Sequence, residues 1–171
     1  MLIITRGIYG FIKNNELKVT FCSSDSYLEG LGNKMVDFIN NTSIKELNEI
    51  FDEITFIDFD NLPSMEELFR CHNILCDLNL SSKGSIKDWD NILGVAEWNP
   101  EVYKNGFKYM TDDKEFMSDK FFCEYSYLIN LDKNLFVINC NNGIAMFDLD
   151  NISSDWIDNA KIQMGIFEKE I

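Results

Sequence analysis

Five thiols, one imidazole and a large excess of carboxylates are the side chains with chemical potential in this 171-residue chain. Cys22, Cys71, Cys76, Cys123 and Cys140 are odd in number and irregularly spaced, so they read as reduced thiols rather than as a disulfide framework. His72 is the lone histidine and lies in "FRCHNILC" between Cys71 and Cys76. One imidazole excludes His-rich metal sites and paired-histidine catalysis, and a Ser-His-Asp site would have to run through this ring. Three such residues along one helix do not make a Cys-x-x-Cys knuckle and no second thiol pair follows, so packing is the favoured role of Cys71 and Cys76. Cys22 comes closest to an activated thiol because it precedes an expected helix start, although strand packing is its plainer role. No phosphate-cradling or dinucleotide glycine motif occurs, and "DFDN" is not part of a twelve-residue calcium loop. Neither a cofactor nor a metal is expected.

Carboxylates dominate by number: 29 acidic against 15 basic side chains leave a net charge of -14. Such a field repels nucleic acid and anionic membrane, because a phosphate binder must supply positive charge. From Ile44 to Glu67 eight carboxylates face one cation, Lys45. A solvated face that provides solubility is the plainer explanation. The sharper one is that Glu46, Glu49, Asp52, Glu53, Asp58 and Asp60 form a partner-binding face, their mutual repulsion at helical spacing being relieved by a cationic partner. The partner expected is a basic host protein, such as one whose groove normally holds nucleic acid. No direct nucleic-acid binding and no membrane span are expected, since no apolar segment is long enough. "MLIITRGIYG" lacks a basic n-region and a small-residue cleavage site, which points to a cytoplasmic setting.

The elements that would position these groups follow from periodicity. Leu2 to Ile12 and Leu17 to Cys22 read as two strands joined by a turn at Asn14-Asn15. Ser26 and Glu29 have the spacing of a capping box before a helix carrying Leu31, Met35, Phe38 and Ile39. Ser43 and Glu46 repeat it before Ile44, Leu47, Ile50, Phe51 and Ile54, and Ser64 with Glu67 before Leu68, Cys71, Leu75 and Leu78. "ITFIDF" between these last two reads as a short strand. Ser85 is placed to cap a helix through Ile86, Trp89, Leu93 and Ala96, and Asn99-Pro100 to start another. "KFFCEYSYLINL", "LFVINC" and "IAMFDL" then form an antiparallel meander through turns at Asp132 and Asn141. Residues 153–171 fit either a helix through Trp156 and Ala160 or an edge strand "KIQMGIF". A hairpin, a block of helices and a meander argue for a single α+β domain over residues 1–171, with one antiparallel sheet and the helices packed on it.

The glycine-rich opening remains. Gly7 and Gly10 mark close backbone approach in the first strand, and Gly30 and Gly32 a tight strand-to-helix corner, with Arg6 and Asp25 expected to pair across it. "TRGIYGF" followed by "FCSSDSYLEGLG" resembles a group of small uncharacterised acidic proteins of bacteriophages and prophages. That resemblance implies an accessory role, for which inhibiting a host protein, including a defence protein, is a common task; no activity comes with it. "RGIYGF" also resembles the start of class II glutaminase domains, which are N-terminal-nucleophile hydrolases, with Arg6 standing where the nucleophilic cysteine would be. This implies, as an alternative, a degenerate amide hydrolase. A third alternative is an assembly subunit without a ligand.

Overall fold

A computed structural model describes residues 4–84 and 88–166. In chain order its elements are β1 (Gly7–Lys13), β2 (Glu16–Cys22), a π-type turn (Leu28–Gly32), α1 (Asn33–Asn40), α2 (Ile44–Glu53), β3 (Thr55–Phe56) and α3 (Met65–Asp77). They continue with α4 (Trp89–Ala96), α5 (Glu101–Lys104), β4 (Tyr109–Met110), a 3-10 turn (Lys114–Ser118), β5 (Tyr125–Asn130), β6 (Leu135–Cys140), β7 (Gly143–Asp148) and α6 (Trp156–Met164). The class is α+β.

The N-terminal hairpin and the C-terminal meander share one five-stranded sheet in the order β2-β1-β5-β6-β7. Every pairing is antiparallel except β1 with β5, which run parallel with Tyr9 beside Tyr127. This parallel junction was not expected; the helical block returns the chain to the same end of the sheet from which β1 started, so β5 must run beside it in the same sense. β3 and β4 form a separate two-stranded parallel pair.

Alternation along the strands sets two faces. Tyr9, Phe11, Tyr127, Ile129, Phe136, Ile138 and Ala145 fill the inner face and are buried. Helices close over it through edge-on ring contacts: Phe11 with Phe38 of α1 and Phe51 of α2, and Phe147 with Trp156 of α6. On the outer face the hairpin half is covered by the 3-10 turn, where Phe116 meets Phe21 with ring centroids 4.7 Å apart. The other half is open, leaving Ile144 and Met146 about half exposed.

Local chemistry explains most boundaries. Ser43 and Glu46 form a reciprocal capping box on α2, and the Ser64 hydroxyl accepts the Glu67 N–H on α3. Asp88 rather than Ser85 caps α4 through the Asn91 N–H; Ser85 and Ile86 lie outside the described residues, as do Leu2 and Ile3 of the expected first strand. Ser26 is no cap: it is buried, its N–H donates to the Thr5 carbonyl and its own carbonyl accepts the Tyr127 hydroxyl at 2.7 Å. The tail takes the helical alternative from Trp156 and stops at Gly165 in the left-handed region, φ +70°; residues 167–171 lie outside the described set.

Candidate functional site

The six expected partner-binding carboxylates separate into three settings. Glu46, Glu49 and Glu53 lie three and four residues apart on α2 and wall a cavity of about 190 Å³. Tyr103, Lys104 and Gly106 line it from α5 and the turn that follows. Ser43 backbone and hydroxyl donors hold the Glu46 carboxyl below the usual carboxylate range. Glu49 pairs with Lys45 at 3.6 Å and Glu53 with Lys108 at 4.0 Å, both at the exposed surface, where such pairs contribute little and exchange readily. Asp52 points elsewhere, to Lys13 at 2.7 Å.

Asp58 and Asp60 belong to the turn between β3 and α3. Asp58 accepts the Asp60 N–H and the Asn61 side chain, donors that keep its carboxyl low. Among the described residues no lysine or arginine lies within ion-pair distance of Asp58, Asp60 or Glu66. The same stretch exposes four large apolar side chains, Phe59, Leu62, Met65 and Phe69, each about half open to solvent. Met65 and Phe69 are one helical turn apart on α3. Sequence reasoning did not single these out, although Phe69 falls off the Leu68, Cys71, Leu75, Leu78 stripe that faces the core. Arg70 ties this patch to the α2 cavity: its guanidinium grips Glu67 and donates to the Gly106 carbonyl at 2.9 Å. Arg70 is thus the observed link between the exposed 59–69 stretch and the notch, which Lys104 lines together with the three carboxylates.

The opening motif builds a corner. A Cβ on Gly10 would lie 1.9 Å from the Lys18 carbonyl oxygen, and one on Gly7 would meet the Tyr125 carbonyl at 2.5 Å. Gly30 lies inside the π-type turn, where an added Cβ would stand 2.1 Å from the Asp25 carbonyl oxygen. Gly32 leaves room for Trp156 and Tyr127. The expected Arg6–Asp25 pair does not form. Asp25 is turned into the left-handed region, φ +50°, where its carbonyl accepts the Leu31 N–H, and the Arg6 guanidinium instead lies 5.5 Å from the centre of the Phe122 ring.

The thiols and the imidazole do not converge on a carboxylate. Cys22 is buried, and desolvation pushes its thiol up. His72 is buried on α3 with its Nε2 3.2 Å from Cys76 Sγ, a pairing whose signal, four-residue spacing on a helix, stood in the sequence. Glu97, at the end of α4, is pushed up to about 7 by burial and then by Asp113. Among the described residues no group of His, Cys, Asp and Glu side chains is placed to hold a metal ion, and no helix is long and apolar enough to cross a membrane. On the outer sheet face, a trough of about 550 Å³ floored by Leu128, Val137 and Ile144 lies apart from the acidic surface.

Compared with protein families, curated proteins and solved structures, the chain matches none.

Proposed function

We propose that the protein acts by binding a basic host protein, as a phage-type accessory inhibitor that competes for the groove with which that protein engages its own ligand. The observation that carries this reading is that Phe59, Leu62, Met65 and Phe69 are exposed in the same short stretch as Asp58, Asp60 and Glu66, which have no ion-pair partner among the described residues, with the Glu46, Glu49, Glu53 notch as a second acidic feature. Interfaces draw affinity from a desolvated apolar centre and specificity from the charges around it. The notch suits a single lysine or arginine side chain, which would compete with Lys45, Lys104 and Lys108 for the helix carboxylates. The net charge of -14 steers a cationic partner towards the chain and repels nucleic acid competing for the same groove. The viral setting rests on the resemblance of "TRGIYGF" and "DSYLEGLG".

Affinity capture from host lysate tests it. The wild-type chain should retain a basic protein that elutes as salt is raised. The triple variant Glu46→Lys, Glu49→Lys, Glu53→Lys and, separately, Met65→Ser with Phe69→Ser should both lose it. Equal retention by wild type and both variants would refute the assignment of this surface.

A further inference from the structure

We propose that Cys76 is the reactive thiol of this chain, with His72 as its proton acceptor, and that small disulfides modify the protein at this position. The two residues sit one turn apart near the end of α3, with Sγ 3.2 Å from Nε2. His72 is 2% exposed, so packing holds its ring in place, whereas Cys76 is only half-buried and can be reached from solvent.

The other four thiols lack this arrangement. Burial pushes the Cys22 thiol up and takes Cys71 and Cys123 to about 11, so all three stay protonated. Cys22 and Cys123 donate to backbone carbonyls and Cys140 to the Met164 sulfur, none of which can carry a proton away. Thiol–disulfide exchange proceeds through the thiolate, and an imidazole within hydrogen-bond reach is the group that generates it.

The proton moves as the reaction proceeds. His72 Nε2 takes the Sγ proton while Sγ attacks one sulfur of the disulfide. A new S–S bond forms, the original one breaks, and the departing thiolate recovers the proton from His72. One thiol and one disulfide give one mixed disulfide and one thiol.

The test treats the folded full-length protein with 4,4′-dithiodipyridine, quenches at intervals and maps adducts by peptide mass spectrometry. Cys76 should react first, about tenfold or more ahead of Cys140. His72→Gln should slow Cys76 by about tenfold and leave Cys140 unchanged. A different cysteine leading, or a Cys76 rate indifferent to His72→Gln, would overturn the proposal. Since His72 is buried and its replacement could unfold the chain, the wild type in guanidinium chloride provides an independent arm. There the lead of Cys76 must vanish; a lead that persisted would come from local sequence and would also overturn it.

Discussion

Replacing Lys18 by Met should destabilise the protein strongly, even though an ammonium is replaced by an apolar side chain on a core-facing strand position. Lys18 is 9% exposed, and its Nζ donates to the carbonyls of Phe51 at 2.8 Å and Ile54 at 2.7 Å. These acceptors lie at the C-terminal end of α2, where carbonyls lack intrahelical partners and a cation is favoured. The ammonium also sits 4.4 Å from the centre of the Phe51 ring. Two charge-assisted hydrogen bonds, less the cost of burying the ammonium, put the loss at about 2–4 kcal/mol. Met keeps most of the aliphatic packing, so the change isolates the polar contacts. In urea denaturation the midpoint should fall by about 1–2 M at unchanged slope. Lys13→Met is the control: its amine meets exposed Asp52, and its loss should cost less than about 1 kcal/mol. A Lys18→Met midpoint no lower than that of Lys13→Met would refute the reasoning.

Three further outcomes are expected. Glu97 holds its proton more tightly in the folded state, at about 7 against an ordinary 4.5, so its contribution is full below about 4.5 and lost as pH rises through 7. Thermal melts at pH 5 and pH 8 should therefore show Glu97→Gln gaining about 1–2 kcal/mol on the wild type at the higher pH, a figure reduced for the solvent access of the group; parallel profiles would contradict this. Gly10→Ala sets a methyl against the Lys18 carbonyl, which belongs to a paired strand and cannot give way, and should cost about 3 kcal/mol by denaturant titration. Ser43→Ala removes the acceptor of the Glu46 N–H and should cost about 1 kcal/mol, read in the same titration.

What the sequence disclosed was local. The caps at Ser43 and Ser64 and the Asn14-Asn15 turn were legible because each is decided within a few residues, although the Glu67 carboxylate goes to Arg70 instead of completing a box. Ser26 shows the limit of that logic: it has capping spacing, but the Tyr127 hydroxyl, 101 residues away, draws it into the core. The parallel junction of β1 with β5 and the notch between α2 and α5 were invisible for the same reason, since both join segments with no shared local signal. Charge density flagged the acidic face, yet it could not separate Glu53, which walls the notch, from its neighbour Asp52, which turns to Lys13.

Hydrogen exchange on the complex with the captured partner bears most directly on the binding surface. Binding through the apolar centre and its rim should slow amide exchange across residues 55–70 and the exposed turns of α2, and leave β6 and β7 unaffected. Protection centred instead on the open outer face, at Val137, Ile144 and Met146, with residues 55–70 unchanged, would contradict it.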